Sequence, residues 1–349
     1  DLTPVKNIEH LSIKNQGMSG TCWNFSMTSE IETEVLRKGM GHIDLSEMFI
    51  VRNIYSDKAR NYLYRQGNAQ FSEGGLGHDV INGIRDYGIV PLSAYNGVKS
   101  SENGYNHTGL SDKLKNYLNL LLKNGKIKED WERGVDSILD EYFPPLPVTF
   151  EFQSQKWTPQ HFAAEVLKFR KDDYVGLTSF LHRPFYRNWV VEVPDNWSNG
   201  AYLNVPLDTM INIVKKSISA GYSVLWDADV SNIGFNQSKG YALFLNDAKE
   251  TPASFNAETK EANYDSRLRL KLYQSLETQD DHLMHIVGIY KNKEGKTFFK
   301  VKNSWGTTAG PFGGYIYVSE AYFAINTITV IVPAQAVSSN IRNLSQSVN

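Results

Sequence analysis

Apolar residues first recur at helical spacing just after a glycine-bearing turn. Met27, Ile31 and Val35 lie four apart, with Trp23 one turn earlier, which predicts a helix over 22–38. Arg37 and Lys38 occupy its last turn and Gly39 is its stop signal. Met48, Ile50, Val51 and Tyr55 predict a second helix over 45–63, with Asp44 and Ser46 as candidate caps. The turn-rich SEGGLGHD (72–79) leads into a third, Val80–Tyr87, ending at Gly88.

From about 98 to 204 the pattern changes to short amphipathic segments (112–124, 131–142, 159–170) separated by FPPLP and other breakers. Its many aromatics mark it as an insertion packed on the core rather than a linker. A helix over 207–220 follows, and then strand-like runs: YSVLWDADV, HIVGIY, TFFKVKNSW, GYIYVS and TITVIV. Helices first and strands last predict an α+β protein of two lobes. Its parts are a helical left lobe (1–97), a mostly helical insertion (98–204), a β-rich right lobe (205–334) and a C-terminal tail (335–349).

The 349 residues suffice for a large core, and 36 basic against 38 acidic side chains give a net charge of −2. Nothing in that balance favours nucleic acid as a partner. No apolar run approaches the roughly 18 residues of a membrane-spanning helix. A start at Asp1 fits a processed chain, which favours an extracytoplasmic location over a cytoplasmic one.

The chain has one cysteine, Cys22, in NQGMSGTCWNFS. Residue type alone favours inert packing, because free cysteines are among the most buried residues. Its position argues otherwise. Cys22 opens a helix, where the dipole and free N–H groups favour thiolate. Gln16, six residues upstream, carries an amide of the kind an oxyanion hole needs.

A nucleophilic thiol needs a base, and DDHLMHIVGIYKNKEGKTFFKVKNSWG (280–306) reads as a hairpin turning over Asn292–Gly295. A turn centred between Lys293 and Glu294 sets Met284 opposite Asn303, with His282 two residues along on the same face. That diagonal spans about 7–8 Å at the backbone, within reach of an imidazole and a carboxamide. His285 has the opposite parity and pairs with Lys302, so the pairing selects His282. A β-bulge would undo the argument. Asn303 would fix the imidazole tautomer, and Trp305 would shield that hydrogen bond.

These residues resemble the papain-like cysteine peptidases, and most closely the bleomycin hydrolase and aminopeptidase C branch. NQGMSGTCW is similar to the nucleophile motif, with Gln16 as oxyanion donor and Cys22 as nucleophile. EGGLGHD resembles the glycine pair of the substrate cleft, at Gly74 and Gly75. HLMHIVGI resembles the base motif at His282, and KVKNSWG the asparagine motif at Asn303, Ser304, Trp305 and Gly306. The 260-residue separation of Cys22 from His282 also suits this branch.

The resemblance implies a helical lobe bearing Cys22, a β-barrel lobe bearing His282 and Asn303, and a cleft between them. It implies amide hydrolysis through a thioester, most often at peptide amino termini, with no cofactor. Gly74, Gly75, Trp23 and Asp281 become the expected substrate-binding residues. Members of the branch assemble as hexamers through a longer N-terminal arm than the 21 residues preceding Cys22 here. In them the terminal carboxylate, here that of Asn349, caps the cleft.

Other classes are weaker. His282 and His285 point to opposite faces of a strand, so they cannot share a metal ion. Asp280 and Asp281 are expected as solvated turn residues, with Asp281 placed to tune His282. His42, His78, His107, His161 and His182 are expected to be surface or packing residues. A non-catalytic scaffold would have lost part of the Cys–His–Asn–Gln set. An endopeptidase, amidase or transpeptidase using the same groups stays open.

Overall fold

The computed structural model describes residues 2–99, 104–245 and 249–346. The chain runs β1 (Thr3–Asn7), α1 (Cys22–Arg37), α2 (Glu47–Tyr64), α3 (Gly77–Tyr87), α4 (Leu110–Asn124) and α5 (Glu132–Tyr142). A small hairpin, β2 (Phe150–Phe152) and β3 (Gln155–Trp157), precedes the single turn α6 (Pro159–His161). Next come β4 (Tyr174–Thr178), β5 (Arg187–Val190), β6 (Ala201–Asn204), α7 (Leu207–Ser219), β7 (Val224–Ala228), β8 (Phe235–Asn236) and β9 (Tyr241–Ala242). The chain closes with α8 (Ser266–Gln274), β10 (His282–Lys291), β11 (Thr297–Lys302), β12 (Tyr315–Ser319), α9 (Glu320–Asn326), β13 (Thr327–Pro333) and α10 (Ser339–Gln346).

Except for β2 and β3, these strands form one eleven-stranded sheet in the order β5-β6-β4-β13-β7-β10-β11-β12-β9-β8, with β1 added on β10. Strand alternation divides the core. On β7, Leu225 joins the cluster built with α1 to α3, while Val224 and Trp226 face α7 and α9. On β10, Leu283 faces the first group and Met284 the second.

Helix α1 lies between α2, α3 and this sheet, so every residue from Cys22 to Val35 is buried. The sequence shows only the apolar stripe. Several of the buried polar positions are held by partners. Ser26 Oγ donates to Leu283 O at 2.7 Å, and Glu32 Oε1 accepts from Leu45 N and Lys14 Nζ at 2.8 and 2.9 Å. The helix ends as expected, with Gly39 at φ +82°.

Some expectations need correction. Ser46 alone caps α2, accepting from Phe49 N at 3.2 Å, and Asp44 instead pairs with Lys14 at 2.5 Å. The helix expected over 159–170 is the single turn α6 followed by a wide π-type turn over Phe162–Val166. Strands β4 to β6 were not foreseen, being short and weakly alternating, yet they extend the main sheet through β13. The carboxylate of Asn349 lies outside the described residues.

The β10–β11 hairpin reaches the expected register by another route. Asn292 N donates to Lys296 O, so the turn centres on Glu294 and sets Lys291 opposite Thr297 and Gly288 opposite Lys300. A bulge between Ile286 and Gly288 then shifts the register by one residue, leaving His285 opposite Lys302. The bulge therefore restores the pairing on which the choice of His282 rests.

Candidate functional site

Cys22 is the first residue of α1, with Thr21 as its cap. Thr21 O accepts from Asn24 N and Phe25 N, whereas the Cys22 N–H falls in the first turn, where no intrahelical acceptor exists. The thiol is free and 9% exposed. Leu283 N–H is directed at its sulfur, which puts the thiol at the head of β10, beside His282.

His282 opens β10 and is bonded to Asn303, its Nε2 lying 2.7 Å from Oδ1. An amide oxygen can only accept, so Nε2 carries the proton and Nδ1 is the basic nitrogen. Asn303 is itself oriented: its Oδ1 also accepts from Ser304 N at 2.8 Å, and its Nδ2 donates to Gln237 Oε1 at 3.1 Å. The Trp305 ring lies 4.8 Å from the imidazole, centroid to centroid, at 33°. His285, three residues on, faces the other way and bonds Ser29 Oγ at 2.9 Å, so the two histidines share no ligand position.

Gln16 is equally constrained. Its Oε1 accepts from Ser304 Oγ and its Nε2 donates to Ser19 O, both at 2.7 Å. One Nε2 hydrogen stays unassigned by these bonds. The preceding loop is held by Glu73, whose carboxylate accepts from Gly20 N. A Cβ at Gly20 would come within 2.8 Å of the Glu73 Cβ, so the close approach requires glycine.

Burial favours the uncharged forms, pushing the Cys22 thiol up to about 12 and His282 down to about 4. Local bonds act oppositely: the Leu283 N–H favours thiolate and Asn303 favours imidazolium. A charge-separated pair thus draws on these bonds and on the N-terminus of α1.

The expected substrate-contacting residues divide. Gly74 and Gly75 lie on the loop before α3, backed by Trp23. Trp23 was expected on the substrate side, but it is 1% exposed and its indole N–H donates to Glu73 O at 3.1 Å, so it supports the loop from behind. Asp281 is exposed, and its Oδ2 accepts from Val230 N and Ser231 N, both at 3.1 Å; its charge favours the imidazolium of His282. Asp280 was expected in solvent, yet its Oδ2 is buried, because the chain turns inward there to enter β10. His78 is a tether, bonded to Tyr202 OH at 2.9 Å and Ser198 Oγ at 2.7 Å. His107 packs on Phe143. Gln237 and Asp195 escaped the sequence reading, since neither lies in a motif or beside a site residue.

A free thiol at a helix start, an imidazole of fixed tautomer and an oriented amide donor are the components of nucleophilic acyl transfer. Comparison with known proteins agrees. The model of the Peptidase C1-like family matches residues 5–348. The chain is 24% identical to Aminopeptidase C of Lactobacillus helveticus over 93% of its own length and 80% of that protein's. It is 26% identical to Aminopeptidase C of Lactococcus lactis subsp. lactis, covering 92% and 80%. The crystal structure of pepw from Lactobacillus rhamnosis superposes with a TM-score of 0.75 at 21% identity, over 98% of this chain and 84% of that one.

Proposed function

The chain belongs to the Peptidase C1-like family, and from that premise we propose that Cys22, His282, Asn303 and Gln16 form the catalytic site of a cysteine aminopeptidase. The observation that carries the assignment is the 2.7 Å bond between His282 and Asn303, which leaves Nδ1 as the base at the head of the strand whose next N–H meets the thiol.

The Cys22 sulfur attacks the scissile carbonyl carbon as its proton passes to His282 Nδ1. Charge gathers on the carbonyl oxygen, where the Cys22 N–H and the free Gln16 amide hydrogen receive it. Collapse of the tetrahedral adduct breaks the C–N bond, and the imidazolium returns its proton to the departing amine. Water, deprotonated by His282, then attacks the thioester and releases the acid and the free thiol. Trp305 covers the His282–Asn303 bond and keeps it short of competing water.

Peptide amino termini are the proposed substrates, as the names of the relatives suggest. An epoxide inhibitor of thiol peptidases should add once, at Cys22, as read by peptide mass spectrometry. Absence of that adduct under reducing conditions overturns the catalytic assignment. Free peptides should be cleaved in preference to their N-acetylated forms, and equal turnover would point to endopeptidase action.

A further inference from the structure

Three carboxylates beside the nucleophile have no part in the steps above. Asp227 lies on β7 directly opposite Leu283, on the same face as Leu225 and therefore toward α1. Asp280 precedes β10 by two residues, and its carboxylate lies against that of Asp227 and accepts the Asp195 N–H. Asp195 comes from the loop between β5 and β6. Its carboxylate covers Gly74: a Cβ built there would sit 1.9 Å from Asp195 Oδ2. Only glycine at position 74 leaves room for it. Three distant segments thus bring negative charge to the point where the glycine loop meets the head of β10.

The charge is unbalanced. Among the described residues no Lys or Arg forms an ion pair with Asp195, Asp227 or Asp280. Lys58, the cation whose charge Asp195 feels, is occupied elsewhere. Its Nζ donates to Ser72 O at 2.9 Å and to Gly74 O, and lies over the Tyr55 and Trp23 rings. Asp227 is 0% exposed, and outside the contact between the two carboxyls neither its Oδ1 nor the buried Oδ2 of Asp280 has a hydrogen-bond donor. Buried acceptors without donors are costly unless a ligand supplies the donors. No grouping among the described residues has the make-up of a metal site. A compact organic cation with several N–H donors fits instead.

We propose that Asp195, Asp227 and Asp280 bind the α-ammonium group of the substrate, so that this cluster anchors the amino terminus at the cleavage site. The proposal rests on the peptidase reading and adds the residues that select a free amino terminus. It also explains why acids stand beside a nucleophile. Asp280, Asp227 and Asp195 all oppose the Cys22 thiolate, and a bound ammonium cancels that opposition.

The test uses the full chain with Asp195→Asn, Asp280→Asn and Asp195→Glu. Substrates are leucine 4-nitroanilide, its N-acetyl form, and an N-acetyl-lysyl-leucine 4-nitroanilide. Iodoacetamide alkylation reports the thiol independently of any ammonium. Both Asn variants should lose at least tenfold in kcat/KM on the free amine, while alkylation of Cys22 speeds up and Asp195→Glu recovers most of the loss. Slower alkylation together with the lost turnover would mean damage to the site and overturn the proposal. So would unchanged kcat/KM on the free amine, or wild-type preference for the acetylated lysyl substrate. If Asp280→Asn fails to fold, the partly exposed Asp195 decides the matter by the same readings. Failure of the epoxide to label Cys22 would instead sink the peptidase reading itself.

Discussion

Ser304 Oγ donates to Gln16 Oε1 at 2.7 Å, joining the loop before α1 to the residue that follows Asn303. The same two residues are bonded through their backbones, Gln16 N to Ser304 O at 2.8 Å. One short segment therefore orients both the partner of the imidazole and the proposed oxyanion donor. The Ser19 carbonyl decides the orientation of the Gln16 amide, because it can only accept and so takes an Nε2 hydrogen, which leaves Oε1 to the Ser304 hydroxyl.

Gln16→Ala should lower kcat by about 10²–10³-fold with little change in KM, the usual cost of one oxyanion donor. Ser304→Ala should act through Gln16 and cost less, on the order of tenfold. The double variant should be no slower than Gln16→Ala alone, because the hydroxyl has no function once the amide is gone. Steady-state kinetics on a free-amine anilide measures all three, and additive losses would contradict this coupling.

Asn303→Ala should move His282 further from its ordinary value. The Asn303 oxygen accepts the Nε2 proton and so favours imidazolium, against the burial that already holds the ring down to about 4. Removing it lowers the titration midpoint and frees the ring to change tautomer. An NMR titration of the imidazole should show the downward shift, with kcat reduced by about 10²-fold or more. Gln237→Ala, which loses the bond from Asn303 Nδ2 together with those its own Nε2 donates to Ala309 O and Tyr315 O but leaves the His282–Asn303 bond in place, should shift both in the same direction by less.

The site was legible in the sequence where the chemistry is local. The Gln16-to-Cys22 loop is one continuous motif, and strand parity separates His282 from His285. The register survived because the hairpin turn and the bulge at Val287 offset one another, which no alternation pattern could have foretold. Asp195 was beyond reach. It comes from a loop in the region read as an insertion, and only the folded chain brings it over Gly74. Asp280 was misread because DDH looks like a polar turn, and burial depends on where the preceding segment packs. The burial of α1 on all sides was hidden likewise, since Ser26, Ser29 and Glu32 find their partners in β10, β11 and the segments around Lys14 and Leu45.

Acid should destabilise the fold before its surface carboxylates titrate. Burial holds His10, His107 and His282 down to about 4, below the roughly 6.5 of the unfolded chain. A depressed folded value means that the unfolded state takes up protons first, so this stability is present above pH 6.5 and lost as pH falls toward 4. Burial is the sole cause for His107, whose Nδ1 has no partner. His107→Leu should therefore flatten the decline of unfolding free energy over that window, by up to about 3 kcal/mol. Urea titrations at pH 7, 5.5 and 4.5 would measure it, and an unchanged slope would contradict the assignment.

His282 and His285 offer the sharpest contrast between site and scaffold. His285 Nδ1 accepts from Ser29 Oγ, which in turn accepts from Lys302 Nζ at 2.8 Å, so the ring belongs to a buried chain linking α1 to β10 and β11. His285→Ala leaves Ser29 without its acceptor and opens a void, costing about 2–4 kcal/mol in stability. Its kcat per folded molecule should stay within a few-fold of the parent, and the epoxide should still label Cys22. His282→Ala should behave in reverse, with a melting temperature close to the parent's and no measurable turnover. Thermal melts paired with active-site titration distinguish the two. Loss of turnover in folded His285→Ala would mean that the buried chain, rather than Asn303 alone, sets the position of the base.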